Sequence, residues 1–452
     1  RSLSGASTVY TPRSHRPAEY WEHIAEDVGY GDRWLHNLYS MAHAQSQECL
    51  VVQGGRYWET NLNLVALREL VPISNRSVFL HGVSNLVPGP FKSSVRHGGS
   101  LPYVLRTSMC VPESCTEQDI VLAIYPQFEV EKYLGRHVAK LIKAIGLSGI
   151  VRADELWTWD FLQLDFAIVG LDNCGTTSLH RGLDLHPDIA FSTTEEDFFF
   201  TNEVIHRILP LRSQVEEFNG KLADVQKRKQ METGRWPHVV GICSPVLYKY
   251  GLSRYALSLI QRTRVLVTLC DPLGRLERHF MEYLYCYNDL QAAVSEGLAG
   301  DRTSDICYHT ASALLDYQGA LKNFWESISF APHLGSMLSL FASRALVVHK
   351  DYFREPRTLY SAAAEFVGAD SNFPSGTHFR RYNAVSGHRT DLCQNVSLVR
   401  RLVALLEPEY QAQERYLKLS GSPVPRSLAS RTSRCVFATL RHHHCPGRDV
   451  AC

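Results

Sequence analysis

The stretch DFAIVGLDNCGTTSLHRGLDLHPDI (165–189) leaves the chain few folds to choose from. Phe166 to Val169 form an apolar run of strand length that stops at Gly170. After a tight loop, Thr176, Thr177 and Ser178 open a segment whose apolar residues, Leu179 and Leu183, keep helical spacing. A strand, a glycine-bearing loop and a helix start in that order aim several backbone N–H groups at one point, which suits an anion. Hydroxyls on the first helical residues add donors. Further apolar strands at 265–269 and 345–348 alternate with amphipathic stretches such as 312–327, so an α/β domain with a parallel sheet is expected.

The 452 residues suffice for two or three domains with a sizeable core. Residues 1–135 lack clean periodicity and are rich in Gly, Pro, Ser and Asn, which predicts a small, loop-rich, disulfide-bearing domain. EKYLGRHVAKLIKAIGLS (131–148) has helical spacing, and a helical linker is placed at 136–150. The α/β domain follows over 151–420, and 421–452 form a Cys- and His-containing tail. A net charge of +1 argues against a nucleic-acid partner, so any polyanion site must be local. No apolar run approaches the roughly 18 residues of a membrane span. The chain begins at Arg1, which leaves room for an upstream signal or anchor, and membrane association is expected only through such a segment.

Twelve cysteines exceed what a reduced cytosolic protein needs. Cys49, Cys110 and Cys115 lie in the first third, while Cys174, Cys243 and Cys270 fall inside or beside predicted strands, where buried free thiols are the plain expectation. Sequons at Asn75 and Asn395 point the same way as the cysteine count, toward the secretory pathway, in the Golgi lumen or outside the cell.

The phosphate loop narrows the chemistry. Gly170 and Gly175 have the spacing of G-x-x-x-x-G-K-[ST], but Thr176 stands where the lysine belongs, and G-x-G-x-x-G is absent. Gly170, then Gly175-Thr176-Thr177-Ser178-Leu179, then His186-Pro187-Asp188-Ile189 resemble instead the 5′-phosphosulfate loop of sulfotransferases, which use 3′-phosphoadenosine 5′-phosphosulfate (PAPS). TEEDFFF (194–200) resembles that family's Lys-Glu-Pro-His-Phe-Phe segment, and CSPVLY (243–248) its Lys-Thr/Ser-Pro-x-Tyr segment. TRVLVTLCDPLGRLERHF (263–280) resembles the 3′-phosphate strand and helix. ALVVHKDYFREPRTLYSAAAEFVGA (345–369) resembles the late strand, Glu-Asp-Leu turn and helix.

The resemblance implies a PAPS-dependent transferase of the carbohydrate type, with a glycan hydroxyl as acceptor and no metal. It implies cofactor contacts from Asn173, Cys174, Gly175, Thr176, Thr177, Ser178 and Leu179, and from Arg275 and Arg278. Glu196 would be the base for the acceptor hydroxyl; shifting the match by one residue makes it Glu195, and the plain alternative is that Glu195–Asp197 form a solvated acidic loop. Family cations are replaced at three positions: Asn173 and Cys243 stand for lysines, and Cys270 for the 3′-phosphate arginine. Each loss at a desolvated phosphate costs on the order of 2–4 kcal/mol. Two accounts follow. Either Arg275 and Arg278, at i and i+3, take over the 3′-phosphate, or the domain is a catalytically degenerate relative that binds a glycan or acts as a scaffold.

LRTSMCVPESCTEQDI (105–120) resembles the end of the lumenal domain of the nose-resistant-to-fluoxetine family, and QECLVVQGGRYW (47–58) an upstream element of it, with Trp58 in place of a second Cys. The resemblance implies an extracytosolic, disulfide-bearing domain with at least one of its three cysteines free or paired elsewhere. An oxidised Cys110–Cys115 pair would exclude a cytosolic protein. A zinc site at Cys110 and Cys115 lacks a second pair at finger spacing. His442-His443-His444-Cys445 reads as a solvated tail, and Arg380-Arg381 with Arg400-Arg401 as surface pairs or a groove for an anionic glycan.

Overall fold

The computed structural model describes residues 40–84, 104–131, 135–137, 139–140, 150–171, 174–203, 208–276, 330–380, 382 and 396–419. The chain divides into two compact units, and the division is not a single cut. The smaller unit comprises Leu38–Phe161 and Arg207–Phe218; the larger holds Leu162–His206 and everything from Asn219 onward, along with Arg1–Asn37.

The smaller unit is built on a three-stranded antiparallel sheet in the order β2-β1-β3, with β1 at Arg56–Asn63, β2 at Val104–Val111 and β3 at Val151–Leu156. Where the sequence suggested loops there is a sheet. Its central strand, RYWETNLN, turns Trp58, Thr60 and Leu62 to one buried side, and the Thr60 hydroxyl lies 2.7 Å from that of Thr107 across the ladder. Asn63 caps the helix α1 (Leu64–Leu70), accepting from the N–H groups of Val65 and Ala66. Leu62, Leu64 and Leu67 join Phe79 and Val83 of α2 (Arg76–Ser84) in one apolar cluster. Glu155 of β3 receives Arg56 at 2.7 Å and Arg212 at 3.1 Å. Cys49 and Cys110 are joined in a disulfide and Cys115 is a free thiol, so of the three cysteines one is left free. Because β3 pairs with β1, residues 151–156 count with this unit, beyond the expected boundary at 150; residues 141–149 of the expected linker lie outside the described residues.

The larger unit is the α/β domain. Five parallel strands, β4 (Phe166–Gly170), β5 (Ile189–Phe191), β6 (Val239–Cys243), β7 (Arg264–Leu269) and β8 (Ala345–His349), lie in the order β5-β6-β4-β7-β8. β4 and β6 are buried at every residue and β7 at all but its first, as a parallel sheet covered on both faces requires. The helix α3 (Thr176–Leu183) follows β4, and α4 (Arg212–Thr233), whose residues up to Phe218 count with the smaller unit, precedes β6. Then come α5 (Gly251–Leu259), the short α6 (Pro272–Leu276), α7 (Ala331–Phe341), α8 (Pro356–Val367) and α9 (Val396–Leu419). One core cluster draws Phe166 and Ile168 of β4, Leu179 and Leu183 of α3, and Leu359, Tyr360 and Ala363 of α8. At the α3–α8 crossing a methyl group on Gly182 would stand 2.2 Å from the Tyr360 ring, and the Tyr360 hydroxyl donates to the Ser178 carbonyl at 2.7 Å. The expected helix at 312–327 lies outside the described residues.

Candidate functional site

β4 is flanked by β6 on one side and β7 on the other, so the chain's order reverses about it. Ligands of open parallel sheets bind at the carboxyl ends of the strands beside such a switch point. The described residues that the sequence names for the site follow the carboxyl ends of β4, β5 and β7.

The loop after β4 is shaped by two glycines. Gly170 has φ +138°, and a Cβ there would lie 2.4 Å from the backbone of Thr268 in β7. Leu171 then donates to Thr268 O and Cys174 to Leu171 O, each at 3.2 Å. Gly175 takes a left-handed conformation, φ +98°, at the N-cap of α3, where a Cβ would press against Phe353 at 2.8 Å. Having no side chain, it offers no side-chain acceptor to the first-turn amides of α3. Leu179 makes the first helical bond back to Gly175 O at 2.9 Å and is fully buried in the core, so it anchors the helix rather than lining a cleft. Thr176 is buried and Thr177 half-buried. The Ser178 hydroxyl is engaged by the chain at 382, accepting from Tyr382 N at 3.0 Å. Asn173 lies outside the described residues.

At the exit of β7, Cys270 is bonded to Cys174, which corrects the expectation of free thiols at both positions. The Asp271 carboxylate accepts from Gly274 N at 2.7 Å and from the Tyr410 hydroxyl at 2.6 Å, fixing the start of α6. Arg275, at 3% exposure, is buried with its guanidinium 3.4 Å from the hydroxyl of Tyr248, which follows β6. Arg278 lies outside the described residues.

The exits of β5 and β6 carry the acidic stretch. Glu195 and Glu196 are exposed, whereas Asp197 is buried, which the reading of 195–197 as a solvated loop did not foresee. Its carboxylate accepts from the Ser192 hydroxyl at 2.6 Å, Lys221 at 2.9 Å and Phe199 N at 2.9 Å. Asp197 N in turn donates to Cys243 O at 2.7 Å, tying the acidic stretch to the end of β6. Burial, with the negative charge of Glu196 and Asp197 beside it, pushes the Cys243 thiol far up, so it is neutral where a lysine was expected to bring charge. Of the two candidate bases, Glu196 is the one whose charge acts on the Cys243 thiol at the end of β6.

Two site residues were missed in the sequence. Ser244 Oγ and His349 Nε2 are buried at the ends of β6 and β8 with no hydrogen-bond partner among the described residues. His349 Nδ1 accepts from Asp351 N at 3.2 Å. Burial lowers its pKa to about 4 against the opposing charges of Asp351 and Asp271. The available signal was a polar residue closing an apolar strand, as in VVH (347–349).

Neither a protein-family model nor a curated protein sequence matches the chain. Among solved structures, the chain is similar to a sulfotransferase from Alicyclobacillus acidocaldarius, with 17% identity and a TM-score of 0.36 over 58% of this chain and 97% of that one. It is also similar to the sulfotransferase domain of the Synechococcus PCC 7002 olefin synthase, with 13% identity and a TM-score of 0.26 over 64% of this chain and 96% of that one.

Proposed function

We propose that the α/β unit is a sulfotransferase-type domain that takes PAPS at the ends of β4, β6 and β7 and serves transfer to a carbohydrate hydroxyl in a secretory or Golgi lumen. The observation that carries the reading is the start of α3: a helix N-terminus whose N-cap, the left-handed Gly175, has no side chain, at the end of the central strand. A helix start of this kind favours a phosphate through its amides and its partial positive charge. The residues present fit such a group. Arg275 supplies a buried cation in the segment that follows the neighbouring strand, and Ser244 Oγ is a buried polar atom with acceptor and donor capacity to spare.

Bound there, PAPS supplies the sulfuryl group. Thr176–Ser178 amides orient the 5′ end, Arg275 holds the 3′-phosphate, and Glu196 accepts the proton of the acceptor hydroxyl. The two disulfides accord with an oxidising compartment. A second reading, a domain that binds the nucleotide or a glycan without turnover, is favoured by one observation: Cys243 puts a neutral thiol where charge stabilisation of the leaving group would be needed.

Calorimetry of the full chain with adenosine 3′,5′-bisphosphate tests the proposal. Saturable binding is expected, weakened by about 2 kcal/mol or more in Arg275→Ala. Absence of binding, or an Arg275→Ala protein that binds as the parent does, would refute it. Sulfate release from PAPS with and without Glu196→Gln then separates the two readings.

A further inference from the structure

The Cys174–Cys270 disulfide joins the two halves of the anion site. Cys174 stands one residue before the left-handed Gly175 and two before the first residue of α3. Cys270 stands directly before Asp271, whose carboxylate and carbonyl fix the start of α6 by accepting from Gly274 N and Arg275 N at 2.7 and 2.9 Å. Short, hydrogen-bonded steps therefore lead from the sulfurs to the helix-start amides on one side and to Arg275 on the other. The bond ties the residue before Gly175 covalently to the residue before Asp271. The sulfurs are also inaccessible, with Cys174 at 0% and Cys270 at 4% exposure, so a thiolate has no line of attack and the bond is a permanent fixture rather than a switch.

Resting on the nucleotide reading above, we infer that the Cys174–Cys270 disulfide is a positioning element of the phosphate site: it holds the loop amides against the Arg275 segment before any ligand arrives. It supplies by connectivity part of what a charged side chain at 270 would supply by attraction. A preorganised site spends less of its binding free energy on ordering the loop.

The test compares two full-chain variants, Cys174→Ser/Cys270→Ser and Cys49→Ser/Cys110→Ser. Each loses one disulfide, and only the first touches the site. Titrations with adenosine 3′,5′-bisphosphate and with adenosine 5′-monophosphate are run beside thermal unfolding. The first variant is expected to lose at least tenfold in bisphosphate affinity and most of its preference over the monophosphate; the second should stay within twofold of the parent. A purely structural bond would lower the melting temperature in both and move neither affinity, and that result overturns the inference. Should the serine pair fail to fold, Cys174→Ala/Cys270→Val fills the same space with apolar groups and is judged by the same limits. Non-reducing peptide mapping of the parent adds an independent check, since recovery of Cys174 and Cys270 as separate thiols refutes the bond itself. A parent that binds neither nucleotide fails the nucleotide reading and this inference together. A parent that binds while the folded pair variant matches it overturns the inference alone.

Discussion

At the residue scale, Gly175 is the position with the least freedom to change. An alanine there must hold φ near +98° and crowd Phe353, whose ring lies 2.8 Å from the added methyl. Gly175→Ala is expected to cost about 1–3 kcal/mol, seen as a lowered urea midpoint, from backbone strain alone. Because the same residue sets the start of α3, bisphosphate affinity should fall with it; a variant of parental stability and affinity would show that the turn is not required. Cys243 offers a second check. With its thiol buried and its pKa raised, it should stay unmodified by a maleimide in the native protein, while half-buried Cys115 reacts. Mass mapping before and after unfolding distinguishes them, and native labelling of Cys243 would mean its end of β6 opens to solvent.

At the scale of elements, the α3–α8 crossing depends on one missing side chain. Gly182→Ala drives a methyl into the Tyr360 ring and should destabilise the α/β unit by about 1–3 kcal/mol, read as a drop in melting temperature. How much of the architecture was legible follows from the same physics. Strands buried on both faces must be continuous apolar runs, so FAIVG, RVLVTL and ALVVH stood out in the chain. The strand, left-handed glycine and helix start at 166–183 were legible because Gly175 precedes a hydroxyl-rich segment of helical spacing. The three-stranded sheet was not. Its central strand places Thr60 at an inward position, and its partners lie about fifty and ninety residues downstream, a pairing no local pattern records. In the site, Asp197 looked like part of a solvated acidic run because its partners, Ser192, Lys221 and Phe199 N, meet it only in three dimensions. The Cys174–Cys270 bond joins residues 96 apart, and single-sequence reading has no means to pair them.

For the whole molecule, acid should be a denaturant well above the carboxylate range. His180, His333 and His349 are each held at about 4, chiefly by burial, so the folded chain keeps them neutral where the unfolded chain takes up protons. Since their folded pKa values lie below the unfolded value near 6.5, stability is full above about pH 6.5. It falls as the pH drops from there to about 4, and levels off below. At pH 5 each contributes about 2 kcal/mol of lost stability at most, so the urea midpoint at pH 5 should lie clearly below that at pH 7. Equal midpoints would mean that these rings reach solvent. Asn75, exposed in the turn Ile73–Asn75, should carry a glycan when the chain is secreted, and an unchanged mobility after deglycosylation would contradict this.

The interleaving of the two units has a consequence for how the chain comes to exist. Synthesis from the N-terminus delivers Cys49 and Cys110 first, so their bond has the chance to close while most of the larger unit is still unmade. The small sheet gains its last strand only with Leu156, and its unit is not complete until Phe218 has emerged, by which time the loop after β4 is already made, with Cys174 waiting for a partner. For the 95 intervening residues before Cys270 appears, Cys174 can meet a wrong thiol, Cys115 and Cys243 among them. Yield of native protein should therefore depend on a disulfide isomerase more than two bonds among the described residues would suggest. No single cut in the chain would release either unit whole.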